Sequence, residues 1–407
     1  MKNTDAEKRA KGQFYTPTPF ADYAHKYMES VFGENWKDEY VVWSCCCGTK
    51  NMTRDYYFKE LYCSTLENAE LQIGARYNKE ATCFQMDFLN DGEDKMPASL
   101  IEAMKQNKPI IFFINPPYAT SSNKFGADGT SKGKGATDTK VAMKMKKIGF
   151  GNATNNLYAQ FFYRIMMFKE KYNLTNLHIG LFCPTLFLTG SGYKKFRTKF
   201  LNEFTFNKGF QFNAGYFANC ASTWGIGFSI WNSGETNDKE NFTFDLVDFA
   251  GEEIEKVGEK NNYNIDSEMS AKEWFKEPIK NVKVVAKPTM SSGLNIKDGK
   301  NCKTKIAENA LGCYSNMGNN VDQNTQKVSI FSSSDSSNAN GCSILPENLD
   351  RVTTIFSARK LIEKTWINST DEYLAPNTES EKWNEFVNDS LIYSLFHSSS
   401  IQSSNHN

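Results

Sequence analysis

An apolar run that ends in two prolines constrains this chain of 407 residues more than any other feature. Residues 110–114 are all apolar, which predicts a strand covered on both faces, as in the middle of a parallel sheet. Asn115-Pro116-Pro117-Tyr118 follows directly. Because two prolines cannot continue a central hydrogen-bond ladder, the strand must end there. Ligands of open α/β sheets bind just beyond the carboxyl ends of strands, so this turn is a candidate site.

The residue types in the turn suit group transfer to an aromatic amine. The exocyclic amino group of a purine is a poor nucleophile, because its lone pair is delocalised into the ring. The side-chain oxygen of Asn115 and the carbonyl of Pro116 can accept its two N–H bonds, with directions held by the fixed φ angles of proline. Tyr118 offers a flat face to an unstacked base. We therefore predict a catalytic turn formed by Asn115, Pro116, Pro117 and Tyr118; the alternative is a turn with no chemical role.

Three further strands are predicted at residues 40–43, 61–65 and 82–86. The first leads into a loop of small residues that contains Gly48, and a strand, a small-residue loop and a helix form a cradle where N–H groups meet a carboxylate or phosphate. Glu67 and Glu70 follow the second strand. An acid at this place commonly binds ribose hydroxyls. The alternative is that the two acids only stabilise the start of a helix through its dipole.

Asp87 and Phe88 follow the third of these strands. The carboxylate can accept a hydrogen bond from an adenine amino group, and the ring can stack on the base. Further along, residues 119–154 are rich in lysine, glycine, serine and threonine, which predicts a flexible loop beside the catalytic turn. Lysines there, among them Lys132, Lys134 and Lys146, would neutralise phosphates. The alternative is a loop that is merely solvated.

Composition limits the function classes. The formal net charge is zero, so a nucleic-acid surface must be a local patch. The ten cysteines form no Cys-x-x-Cys pair and there are four histidines, so we expect no metal site and a reducing, cytoplasmic setting. No apolar run approaches membrane-spanning length, and we expect no membrane partner.

A change in residue pattern and composition along the chain predicts two domains. Residues 1–275 carry the α/β pattern, with residues 119–154 as the substrate loop, and residues 276–407 alternate short β-like runs with polar clusters. The last dozen residues contain no closing element, so we expect the chain to be cut from a longer protein.

Taken together, these segments resemble the gamma-class N6-adenine DNA methyltransferases of restriction–modification systems and phages. Residues 12–17 look like that family's first motif, residues 43–53 like its glycine loop, residues 87–89 like its adenine-binding motif and residues 115–118 like its catalytic motif. The resemblance covers residues 8–231 well and the remainder weakly. It implies a Rossmann-like methyltransferase domain, followed by a C-terminal target-recognition region of mixed structure.

The resemblance also implies ligands and site residues. The cofactor would be S-adenosyl-L-methionine, and the substrate an adenine flipped out of double-stranded DNA in a bacterial or phage-infected cell. Asn115 would serve both ligands and Phe217 would be a second aromatic against the base. The residues implied around the cofactor are Tyr15, Thr16, Pro17, Ser44, Cys46, Gly48, Glu67, Asp87 and Phe88. We expect a monomer, with a restriction endonuclease or a further C-terminal region as partner.

Two residues depart from the family pattern. Ser44 stands where the family has an acid that pairs with the ammonium of the cofactor, and Lys50 where it has a glycine. Loss of a charge-assisted hydrogen bond costs about 1.5–3 kcal/mol, so cofactor affinity would fall roughly 10- to 100-fold unless another acid compensates. Two alternatives therefore remain: a non-catalytic DNA-recognition protein on a decayed methyltransferase fold, and a methyltransferase that acts on a protein glutamine.

Overall fold

The computed structural model describes residues 15–118, 139–217, 220–236, 238–264, 268–288, 303–316, 318–323, 328–332 and 340–400. The chain divides into two compact units, Met1–Asn264 and Ile265–Asn407. The sequence placed the division after residue 275, in the segment that follows the last strand of the first unit.

The first unit alternates strands and helices before it ends in four long strands. Its strands are β1 (Val41–Ser44), β2 (Leu61–Thr65), β3 (Thr82–Gln85), β4 (Ile110–Ile114), β5 (Leu177–Cys183), β6 (Phe204–Asn213), β7 (Gly225–Ser233), β8 (Asn241–Ala250) and β9 (Glu253–Tyr263). Its helices are α1 (Thr18–Phe32), α2 (Trp36–Glu39), α3 (Asn68–Gly74), α4 (Ala98–Lys105), α5 (Lys140–Ile148), α6 (Leu157–Tyr172), α7 (Leu186–Thr189) and α8 (Lys194–Glu203).

These strands form one sheet in the order β3-β2-β1-β4-β5-β7-β6-β8-β9. The five strands from β3 to β5 are parallel, and β7 runs antiparallel to β5 and β6. Strand order reverses between β1 and β4, which makes the carboxyl ends of these two strands a topological switch point. The predicted α/β class with a Rossmann-like sheet is confirmed.

Strand β4 lies at the centre of the core because its apolar side chains alternate between the two faces of the sheet. All five of its residues are buried. The Phe112 ring is 5.0 Å from that of Trp43, which also packs on Phe168 of α6. On the opposite face, the Phe113 ring is 5.0 Å from His25 of α1. Helices on both faces therefore fix β4 and the turn that follows it.

The lysine-rich segment is not a loop along its whole length. Residues 119–138 lie outside the described residues, and α5 occupies much of the remainder. The Thr139 hydroxyl caps this helix by accepting a hydrogen bond from the Ala142 N–H at 2.9 Å. The abundance of lysine obscured the short apolar face that the helix buries, which consists of Val141, Ala142 and Met145.

The described residues of the second unit form two small antiparallel sheets and three α-helices. Its strands are β10 (Val284–Pro288), β11 (Lys303–Ala307), β12 (Gly312–Ser315), β13 (Ser329–Ser332) and β14 (Cys342–Ile344), and its helices are α9 (Ala271–Lys276), α10 (Leu349–Leu361) and α11 (Trp383–Phe396). Strand β10 pairs with β11, and β12 lies between β13 and β14. A separate core includes Phe275, Tyr314, Ile330 and Phe356. A role in target recognition stays a prediction for this unit.

Candidate active site

The turn after β4 holds its asparagine by both ends of the amide. Asn115 Nδ2 donates a hydrogen bond to Thr16 Oγ1 at 2.9 Å. Asn115 Oδ1 accepts a hydrogen bond from the Tyr118 hydroxyl at 2.5 Å. The oxygen that the sequence assigns to a substrate amino group therefore already accepts from one donor. A substrate N–H would take the place of that hydroxyl.

Tyr118 is folded against its own turn, with only 8% of its surface exposed. Its ring meets Trp224 edge to face, with centroids 6.2 Å apart. Burial raises the pKa of the Tyr118 phenol well above its usual range, and the neighbouring thiols of Cys183, Cys220 and Cys46 raise it further. The hydroxyl is therefore neutral and acts as a donor at ordinary pH.

Trp224 contacts the turn, whereas Phe217 packs among core aromatic rings. Phe217 is fully buried, and its ring packs on Phe212 at 5.4 Å and on Phe182 at 6.0 Å. The ring is therefore covered by core side chains, and a stacking role for Phe217 stays a prediction. Trp224 is only partly buried and directly precedes β7. Because β7 is antiparallel to β5, its start lies at the carboxyl edge, a signal that sequence reasoning missed.

The loop after β1 comes close to the N-terminal segment at Gly48. The φ angle of Gly48 is +50°, in the left-handed region, and a Cβ placed there would lie 3.2 Å from the Tyr15 ring and 3.8 Å from Glu70 Oε1. A side chain at this position would enter the space between the loop and these two groups. The loop requires glycine here for both reasons.

Glu70 supplies a buried carboxylate at this loop. It is 7% exposed and accepts hydrogen bonds from the Thr65 hydroxyl at 2.6 Å and the Tyr15 hydroxyl at 2.8 Å. Burial raises the pKa of Tyr15, and its bond to Glu70 raises it further. Glu67, the acid chosen from the sequence, is the half-buried N-cap residue of α3. The orientation of α3 thus brings the second acid of the pair to the loop.

Thr16 joins three of the four predicted motifs. Its hydroxyl accepts from the Asn115 amide of the catalytic turn. Its carbonyl accepts from Asn51 Nδ2, in the loop after β1, at 3.1 Å. Pro17 follows as the N-cap residue of α1, and its carbonyl accepts the N–H groups of Phe20 and Ala21. The structure therefore brings the N-terminal segment, the glycine loop and the catalytic turn together.

Ser44 and Lys50, the two residues that differ from the motif this loop resembles, are both buried but are held in different ways. Ser44 is buried as the last residue of β1, where its backbone pairs with Cys63. Lys50 has a left-handed φ of 66° and is 2% exposed. Its ammonium donates to the Tyr77 carbonyl at 2.9 Å, and its chain passes against Gly74 at the end of α3. The lysine is thus accommodated beneath α3.

The segment after β3 is held by its own hydrogen bonds. Asp87 Oδ1 accepts from the backbone N–H groups of Leu89 and Asn90 at 3.0 and 3.1 Å. Phe88 is 3% exposed, and its ring stacks on Phe161 at 5.0 Å. The packing supports Phe88 as a core residue rather than as a face for the cofactor. For Asp87, cofactor binding stays a prediction.

The remaining predicted residues lie in different places. Cys46 is partly exposed in the loop after β1 and close enough to Tyr118 to affect its pKa. Lys146 is exposed on α5, while Lys132 and Lys134 lie outside the described residues. Within the described ranges, no three His, Cys, Asp or Glu side chains are grouped to hold a metal ion. No helix of that part of the chain is long and apolar enough to cross a membrane.

Comparisons with known proteins give weak likenesses. No family model matches the chain, and no curated protein matches it. The chain is similar to a protein in the cryo-EM structure of a DrdV–DNA complex (15% identity, TM-score 0.41, 60% of this chain and 28% of that one). It is also similar to a type I restriction–modification methyltransferase subunit from Streptococcus thermophilus (16% identity, TM-score 0.38, 60% of this chain and 50% of that one).

A third similar structure is a putative class I S-adenosylmethionine-dependent methyltransferase from Listeria monocytogenes (11% identity, TM-score 0.38, 62% of this chain and 68% of that one). The match spans half or less of the first two proteins. Likenesses of this strength do not carry a function from those proteins to this chain. The function must be argued from the side chains at the switch point.

Proposed function

We propose that the protein transfers a methyl group from S-adenosyl-L-methionine to the N6 amino group of an adenine in DNA. The observation that carries the proposal is the Asn115 amide, held between Thr16 and Tyr118 at the end of β4. Its oxygen already accepts a hydrogen bond from a hydroxyl, and an amino group can replace that donor. The same turn lies beside the loop after β1, where a cofactor would bind.

The residues around the loop after β1 fit this cofactor. Gly48 has no Cβ that would fill the space before Tyr15 and Glu70. Glu70 offers a buried carboxylate to a hydroxyl or ammonium group. Ser44, Cys46 and Glu67 border the same loop and stay proposed contacts. When bound, S-adenosyl-L-methionine supplies an activated methyl group.

The residues of the turn prepare the amine. Asn115 Oδ1 and the Pro116 carbonyl accept its two N–H bonds, which localises the nitrogen lone pair in the direction of attack. The Tyr118 hydroxyl must leave Oδ1 before this can occur. Tyr118 and Trp224 then provide aromatic walls for a base taken out of the stack. The N–H proton becomes acidic only as the N–C bond forms and is then released to water, so no side chain with a shifted pKa is needed.

The main alternative is a DNA-recognition protein that has lost catalysis. Ser44 favours it, because the end of β1 carries no carboxylate. Glu70 opposes it, because a buried carboxylate lies beside the same loop. The intact turn opposes it as well. A protein-glutamine methyltransferase could use the same turn, but the partly exposed Trp224 better fits a flat base.

The test combines cofactor binding with product analysis. Calorimetry should detect binding of S-adenosyl-L-methionine to the purified chain. Incubation with adenine-containing duplex DNA should then yield N6-methyladenine, identified after digestion to nucleosides. A folded protein that binds no cofactor and methylates no DNA would contradict the proposal. Methylation of a glutamine peptide without methylation of DNA would select the protein-directed alternative.

A further inference from the structure

One face of α5 is basic and exposed. Lys140, Lys144 and Lys147 recur at i, i+4 and i+7 and therefore share a face with Met143, which is 50% exposed. The opposite face is buried against the first unit. Residues 140–148 contain no acidic side chain. The helix thus presents one sign of charge to solvent, and its apolar face is already used.

The two ends of α5 lie beside loops at the carboxyl edge of the sheet. At its start, the Val141 N–H donates to the carbonyl of Leu89, just after β3, at 3.3 Å. At its end, Lys195 Nζ lies 3.6 Å from where a Cβ would stand on Gly149. Lys195 belongs to α8, which follows β5 along the chain. Both ends of the helix therefore contact segments that follow the carboxyl ends of strands, the edge on which the turn after β4 lies.

The charges of Lys144, Lys147 and Lys195 are not neutralised by ion pairs in the described part of the chain. Lys199 on α8 pairs with Glu203 at 2.8 Å, and Lys171 on α6 pairs with Glu93. No ion pair among the described residues includes Lys144, Lys147 or Lys195. Clustered like charges raise the local potential, and a polyanion would lower it.

We propose that the α5 surface, defined as Lys140, Lys144, Lys147 and Lys195, binds the phosphodiester backbone of duplex DNA next to the target base. The inference rests on the proposed function, in which DNA is the substrate. A nine-residue helix is about 13 Å long, and one DNA strand carries a charge about every 3.4 Å, so the surface can meet about four phosphates. An anionic membrane fits less well, because the apolar face of α5 is buried inside the protein.

The test compares two triple variants of the full chain. One removes three lysine charges near the carboxyl edge of the sheet, and the other removes three near its amino edge. The test variant carries Lys144→Gln, Lys147→Gln and Lys195→Gln. The matched control carries Lys59→Gln, Lys79→Gln and Lys105→Gln, which change exposed lysines near the amino ends of β2, β3 and β4. Binding to a mixed-sequence duplex is measured by fluorescence anisotropy between about 50 and about 200 mM salt. Such a duplex needs no knowledge of a recognition sequence.

The quantity compared is the slope of the logarithm of the binding constant against the logarithm of the salt concentration. Each phosphate contact removed should reduce the magnitude of this slope by roughly 0.9, so the test variant should lose close to three in total. The control should have the slope of the wild type. Equal slopes for both variants, or wild-type protein that binds no duplex, would overturn the proposal. Loss of binding to phosphatidylserine vesicles with unchanged DNA binding would overturn it too. Lysine-dependent DNA binding without transfer to adenine would support this surface and refute the proposed reaction. Equal thermal unfolding temperatures would exclude misfolding as the cause.

Discussion

The loop after β1 and the turn after β4 are neighbours at the switch point, but they depart from the family pattern to different degrees. The turn retains all four residues, whereas the loop has Ser44 and Lys50 in place of an acid and a glycine. In the loop, Glu70 brings a carboxylate from α3, and Lys50 lies beneath that helix. A carboxylate can be supplied from a neighbouring element. The Asn115 amide depends instead on its own two partners, Thr16 and Tyr118.

Removing the amide of the turn should have the largest effect. Asn115→Ala should lower single-turnover methyl transfer on the order of 100- to 1000-fold, because an acceptor aimed at the reacting nitrogen is lost. Cofactor affinity should fall much less, since the loop after β1 is intact. Calorimetry and rapid-quench transfer assays separate the two quantities. Equal losses in both would show that the loop and the turn form one site. Asn51→Ala is the control, because it removes an amide that bonds to Thr16 and Thr49 but leaves the Asn115 amide in place.

Neutralising the loop's carboxylate should have the next largest effect. Glu70→Gln should weaken S-adenosyl-L-methionine binding by about 1.5–3 kcal/mol, roughly 10- to 100-fold, with less effect on transfer at saturation. Glu67→Gln is the competing variant, since Glu67 is the partly exposed N-cap residue of the same helix and the other candidate acid. Calorimetric titration of both variants decides which acid serves the cofactor. A larger loss for Glu67→Gln would return the role to the acid chosen from the sequence.

The loop after β1 should also make the fold sensitive to acid. His25 Nε2 bonds to the Met52 carbonyl at 2.8 Å, and its ring stacks on Tyr56 at 3.5 Å. Burial lowers the pKa of His25 from 6.5 to about 3. The unfolded chain therefore takes up this proton first as pH falls below 6.5, and stability declines from there toward pH 3. The loss at pH 5 should be about 2 kcal/mol.

Urea unfolding at several pH values measures this loss. The His25→Phe variant should have a shallower pH dependence than the wild type, whatever its stability at pH 8. A His178→Gln control should retain most of the wild-type slope, because His178 is only partly buried. An unchanged slope in His25→Phe would remove His25 as the cause.

The smallest effect is expected from removing the Tyr118 hydroxyl, and it concerns the affinity for DNA. Tyr118→Phe removes the donor that competes with substrate for Asn115 Oδ1, and should improve the apparent affinity for DNA by about 1 kcal/mol. Tyr118→Ala should weaken it instead, because stacking on the base is worth about 1–3 kcal/mol. Steady-state assays with varied DNA give both values. Weaker binding by the phenylalanine variant would mean that the hydroxyl contacts substrate.

Local patterns predicted the parallel strands and the turn after β4, because each depends on neighbouring residues. The bonds that join Thr16 to Asn51 and Asn115 were not predicted. The remaining features depend on distant parts of the chain. The orientation of α3 buries Glu70 rather than Glu67 beside the loop after β1, and Trp224 reaches the edge only because β7 is antiparallel to β5. A core aromatic residue and a ligand-facing one look alike in sequence. Packing alone distinguishes Phe88 from Trp224.

The burial of Lys50 has a consequence for the exchange of segments between relatives. Replacing it with the family's glycine would relieve a left-handed φ, which costs about 1–3 kcal/mol in a residue with a side chain. The same change would leave a void against Gly74 and deprive the Tyr77 carbonyl of its donor. A chimera made at this loop would therefore have to transplant the loop and α3 together, because the lysine fills a space that α3 forms.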